Sequence, residues 1–105
     1  MCQFQKLYND ENGYVIRCNK CSYYQVLFAG TMLSISEEEF SKFICHISDQ
    51  KQQYKRAGTK NLVLPTPRAG VHLVLSPREF DQLQNMMEAA EAEIRALALL
   101  DLFYV

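Results

Sequence analysis

Apolar and polar positions divide the chain into short runs of period two and two longer stretches of helical period. The runs QFQKLY (3–8) and GYVIRC (13–18) flank the turn signal NDENG. YYQVLF (23–28) and MLSI (32–35) flank Ala29-Gly30, and NLVL (61–64) and VHLVLS (71–76) flank PTPRAG. Phe40, Phe43, Ile44 and Ile47 fall at i, i+3, i+4 and i+7, one face of a helix. Phe80, Leu83, Met87, Ala90 and Ile94 form a second such face. The first helix is predicted to end near Ser48, before a polar linker over 49–60. The second is predicted from Pro77 to about Leu100, because MMEAAEAEIRALALLD holds no breaker. The order β-β-β-β-α-β-β-α predicts an α+β fold, an antiparallel sheet with two helices packed on one face.

The stretch AGTMLSISEEEF (29–40) aligns with AGVHLVLSPREF (69–80) at an offset of 40, with Ala, Gly, Leu, Ser, Glu and Phe coinciding. This reads as a pseudo-repeat of β-hairpin plus helix, over about 20–48 and 60–100, within a single domain of 1–105. The chemistry behind the shared letters is local. Gly30 and Gly70 permit a turn with positive φ. Ser36 and Ser76 are helix N-caps, and Glu39 and Glu79, three residues on, complete capping boxes. Pro77 takes the first helical position, where a missing N–H does no harm.

Composition narrows the function classes. Apolar residues are 49% and charged residues 22% of 105, the balance of a folded chain, and the net charge is −1. That charge argues against a phosphate-binding face. The one basic run, KQQYKRAGTK (51–60), sets Lys51, Lys55, Arg56 and Lys60 around Tyr54, and reads as a solvated linker before it reads as a nucleic-acid site. Gly13, Gly30, Gly58 and Gly70 are too scattered for a phosphate loop. Asp10, Glu11 and Glu37–Glu39 are accounted for by turn and helix-start chemistry, and the two capping serines are not available as nucleophiles. No signal pattern opens the chain and no apolar run spans a bilayer, so the expected place is the cytoplasm, with no membrane partner. The apolar end LALLDLFYV either folds onto the core or makes a partner face. The expected partners are a second copy, through the C-terminal helix and tail, or another protein.

Four cysteines in a reducing compartment are buried thiols or ligands before they are disulfides. Cys18 and Cys21 form a C-x-x-C between two strands. A redox pair ordinarily sits at a helix N-terminus, where the dipole lowers a thiol pKa. A strand-turn-strand C-x-x-C has instead the shape of a zinc knuckle. If NDENG closes a hairpin, Tyr8 lies opposite Gly13 or Tyr14 and Cys18 opposite Gln3 or Phe4. Cys2 then lands beside the C-x-x-C, within reach as a third thiolate. A slip of one residue would turn it away. For a fourth ligand, Cys45 ranks first, His46 second and His72 third. Cys45 and His46 lie roughly 120–140° from the centre of the first helix's apolar face, and His72 faces away from the core layer. The expected metal set is Cys2, Cys18, Cys21 and Cys45, holding a structural Zn²⁺. The alternatives are a metal-free protein with inert buried thiols, a thiol redox enzyme, and a nucleic-acid-binding module.

An early Cys2, the Cys18–Cys21 pair after a short apolar run, the FAG turn (28–30) and the helix start LSISEEEF (33–40) resemble a family of small uncharacterised bacterial proteins. The resemblance covers about residues 2–45. It implies a small bacterial cytoplasmic protein and carries no activity or substrate.

Overall fold

The computed structural model describes residues 3–50 and 62–103. Strands β1 (Phe4–Asp10), β2 (Gly13–Cys18), β3 (Tyr23–Phe28) and β4 (Thr31–Ser36) form an antiparallel meander in that order. Helix α1 (Glu37–Gln50) follows, then a separate hairpin of β5 (Leu62–Pro65) and β6 (His72–Leu75), then α2 (Pro77–Phe103). The element order is the expected one and the fold is α+β. The strands divide into sheets of four and two, and each helix runs two or three residues beyond its expected end.

Local chemistry sets the turns. The Asp10 carboxylate accepts from the backbone N–H of Asn12 at 2.7 Å and of Gly13 at 3.2 Å, and from the Tyr8 hydroxyl, closing the first hairpin. Ala29 (φ 52°) and Gly30 (φ 77°) are both left-handed, as the mirror-image two-residue turn between Phe28 and Thr31 demands. Both helices start on reciprocal caps. Ser36 N–H donates to Glu39 Oε1 at 2.9 Å and Glu39 N–H to Ser36 Oγ at 3.2 Å; the Ser76–Glu79 pair repeats this at 2.9 and 3.1 Å. The β5–β6 hairpin meets β4 through a side chain. Arg68 Nε donates to the Ser34 carbonyl at 2.8 Å while its Nη2 lies 3.4 Å from Glu39 Oε1. A guanidinium thus satisfies an edge carbonyl of the larger sheet.

One face of the sheet meets both helices. Val15, Tyr24, Val26, Leu33 and Ile35 turn inward and are almost wholly buried. Helix α1 lies over β3 and β4 with Phe40, Phe43, Ile44 and Ile47, and α2 lies over β1 and β2 with Phe80, Leu83, Met86, Met87 and Ala90. Tyr24 stacks on Phe40, ring centroids 4.4 Å apart and planes within 11°. Leu62, Leu64, Leu73 and Leu75 of the small hairpin enter the same core.

The two helices begin alike and end differently. After Ala90, Ile94 and Leu97 pack on the core, and Leu99, Leu100 and Leu102 are exposed. A 27-residue helix is about 40 Å long; its end beyond Leu97 projects, and the molecule measures 49 × 26 × 24 Å. Among the described residues, no helix is long and apolar enough to cross a membrane.

Candidate functional site

The C-x-x-C occupies the connection between β2 and β3. Its first cysteine closes β2, paired across the hairpin with Phe4. The pairing reaches that register by an unexpected route. Tyr8 stands opposite Val15, and an irregularity between Lys6 and Tyr8 restores Phe4 to Cys18. Asn19 N–H donates to the Gln3 carbonyl at 2.9 Å, so the ladder carries the chain as far as Gln3 alongside the turn. Ser22 N–H returns to the Cys18 carbonyl at 3.0 Å, and Ser22 takes φ 60°. This tight reversal leads the chain into β3 without a helix, so no helix starts on either thiol.

Within the turn Cys18 is 1% exposed, whereas Cys21 is exposed. Cys2 lies outside the described residues. Cys45 is on the exposed side of α1, and His72 is exposed on β6. Among the described residues no three Cys, His, Asp or Glu side chains converge as a metal ion would need, so Cys45, His46 and His72 do not join the Cys18–Cys21 turn in a three-ligand group. The basic run over 51–60 also lies outside the described residues.

Beside the turn is a polar cleft of about 240 Å³, lined by Arg17, Cys18, Asn19, Ser22, Tyr24 and Glu37. Arg17 stands at an inward register position, between Tyr24 and Gln5, and its Nη2 donates to Gln5 Oε1 at 2.6 Å. Sequence reasoning passed over this residue. Strict alternation along GYVIRC puts Arg17 on the same face as Gly13 and Val15, and a charged residue there signals a polar opening in the core layer. Glu37 enters as the first residue of α1.

A second hollow, apolar and about 250 Å³, lies between α1 and the Pro65–Pro67 turn. Lys42, Phe43 and His46 line it from the helix. His46 Nε2 is buried with no hydrogen-bond partner. Its position flanking the apolar stripe takes the ring under the second hairpin, a contact that helical period alone does not show.

Residues 1–105 match a family of unknown function (DUF6686), and the chain belongs to that family. Neither the curated proteins nor the solved structures yield a match.

Proposed function

We propose that this protein is an interaction module whose N-terminal hairpin is pinned by a structural zinc ion held on Cys2, Cys18 and Cys21. The supporting observation is the pairing of Phe4 with Cys18, continued by the Asn19–Gln3 hydrogen bond. Continued two positions beyond Phe4 at a strand rise of ~3.3 Å, that register would set a third thiol beside the turn. The donor set fits: thiolates are soft ligands suited to zinc, and a turn between strands is the knuckle geometry. Bound there, zinc would contribute folding energy by tying the first and second strands to the start of the third. The fourth position would be left to solvent, since Cys45 does not converge with Cys18 and Cys21.

The near-complete burial of Cys18 favours a second reading, in which it packs as a small hydrophobe and no ion is bound. Cys21 separates the two. In the metal-free reading this exposed thiol tolerates Cys21→Ser within about 0.5 kcal/mol. In the zinc reading the same substitution removes a ligand. Native mass spectrometry of the zinc-loaded chain should show one ion per chain, lost to a chelator together with several degrees of melting temperature. Cys21→Ser should show neither the ion nor the chelator response. A chain that carries no zinc, and melts alike with and without chelator, would establish the metal-free reading.

A further inference from the structure

The polar cleft beside the C-x-x-C turn holds groups that the fold itself does not use. Gln5, Arg17, Tyr24 and Ile35 stand in one row across β1 to β4, on the core-facing side of the sheet. Of these, Arg17 and Tyr24 line the cleft. Gln5 accepts from the Arg17 guanidinium through Nη2 at 2.6 Å, and among the described residues Arg17 is in no ion pair. The amide of Gln5 thus holds the guanidinium in place without neutralising it. The remaining N–H donors of the guanidinium are left for another partner.

Tyr24 is 1% exposed and stacks on Phe40, yet among the described residues its hydroxyl makes no hydrogen bond. A tyrosine buried to this degree ordinarily gives its hydroxyl a partner. The hydroxyl is not sealed in the core, and it opens on the cleft that Tyr24 lines. Glu37 brings a carboxylate from the start of α1, exposed and likewise in no ion pair among the described residues. Arg17 and Glu37 line the same cleft, one from the sheet and one from the helix layer, and they are not paired with each other.

The chemistry of an occupant follows. A held guanidinium with spare donors matches a carboxylate, and the Tyr24 hydroxyl adds a donor to the same group. Glu37 would repel a simple anion and attract an ammonium. One unpaired charge of each sign complements a ligand that carries one of each. A volume of about 240 Å³ lies below the roughly 300–1,000 Å³ of sites for drug-sized molecules, so the ligand is small. We infer that the cleft is a binding site for a free α-amino acid, its carboxylate on Arg17 and Tyr24 and its ammonium on Glu37. This goes beyond the interaction role proposed above and does not rest on the metal, because no cysteine sulfur is among these contacts.

Titration of the full ¹⁵N-labelled chain with the common L-α-amino acids, followed by amide NMR shifts, tests this. At least one should shift the Asn19, Ser22 and Glu37 amides saturably. The carboxylic acid with the same side chain but no amino group should bind severalfold more weakly. Tyr24→Phe keeps the ring stack and gives up no hydrogen bond within the protein, so it should fold; it should weaken the amino acid about tenfold or more. Glu37→Gln, at an exposed position, should remove the preference for the amino acid over its deaminated analogue. The inference is overturned if no amino acid shifts these amides at its highest soluble concentration, or if the deaminated acid binds as well to wild type. Affinity unchanged by Tyr24→Phe overturns it too, since an amino acid chelating an ion on the neighbouring thiols would not sense that hydroxyl. A chain that carries one zinc and binds no amino acid would sink this inference and leave the metal reading standing; a metal-free chain that binds one would do the reverse.

Discussion

Gly13 is the residue whose replacement should do the most damage for the fewest atoms. It sits in β2, opposite Phe28 and beneath α2. A Cβ added there would lie 1.9 Å from the Leu27 carbonyl oxygen and 3.0 Å from its carbon, with Met86 Sδ at 3.4 Å. Carbon and oxygen ordinarily approach no closer than about 3.3 Å, so the two backbones must separate by more than 1 Å. Rotating a side chain cannot supply that, because the obstructing atom belongs to the ladder. Stretching a hydrogen bond by that much breaks it. Two lost bonds, with a buried donor or acceptor stranded, amount to about 3–5 kcal/mol for Gly13→Ala, a large fraction of the 5–15 kcal/mol typical of a domain. The melting midpoint should fall by roughly 15–30 °C. Gly30→Ala supplies the contrast. Gly30 has φ 77° and nothing within 4 Å of an added Cβ, so it bears only the left-handed penalty of about 1–2 kcal/mol. Thermal melting of the two variants side by side reads the order. A Gly13→Ala protein that melts within a few degrees of wild type would mean that β2 and β3 do not approach as described.

Two further predictions concern the helix caps. Glu39 is held below the usual carboxylate range, first by the Ser36 backbone N–H it accepts, then by the Ser36 hydroxyl and the nearby Arg68 and Lys42. A depressed folded value means that the unfolded chain takes up the proton first, so this stabilisation is present above the ordinary carboxylate pKa and is lost as pH falls through the folded value. Urea midpoints of wild type and Glu39→Gln should therefore differ at pH 7 and converge on acidification; a difference constant with pH would contradict the assignment. Ser76→Ala removes the hydroxyl that accepts from Glu79 N–H at 3.1 Å, and should cost about 1 kcal/mol, read as a drop of roughly 4–8 °C in the melting midpoint.

Much of the fold was legible because local signals and burial agree. Capping boxes at Ser36 and Ser76 fixed both helix starts, and the i, i+3, i+4, i+7 stripe in α1 is the stripe that is buried. The first hairpin shows where local signals conflict. QFQKLY places apolar Phe4 and Leu7 three apart, and a regular strand of period two cannot bury both. The strand buries Leu7 to 6% exposure and leaves Phe4 outside, with an irregularity in the ladder between Lys6 and Tyr8. Counting outward from the turn therefore misplaced Tyr8 yet arrived at the right partner for Cys18. The polar cleft was not read because it is assembled from β2, the turn, β3 and the start of α1. Only Arg17, a charge at a core-facing position, left a trace of it in the sequence. The division of the strands into two sheets was equally hidden: β4 meets the second hairpin through Arg68 on the Ser34 carbonyl, a contact between residues 34 positions apart.

The two helices are unequal in length. A six-residue strand is about 20 Å long, and the 14 residues of α1 span about 21 Å, so that helix matches the sheet it covers. Helix α2 starts on the same cap yet has 27 residues; of its surplus length Ile94 and Leu97 still pack on the core, while Leu99, Leu100 and Leu102 are exposed. Propensity explains why the surplus stays helical, for it is rich in Ala, Leu and Glu. Propensity does not call for leucine at 99, 100 and 102, where alanine or glutamate would serve a solvated helix better. Those leucines contribute little to the folded monomer. A chain ending at Ala98 should therefore melt within a few degrees of the full-length protein. If that shortened chain instead loses its cooperative transition, the helix end belongs to the chain's own core, and the apolar residues there need no second molecule to account for them.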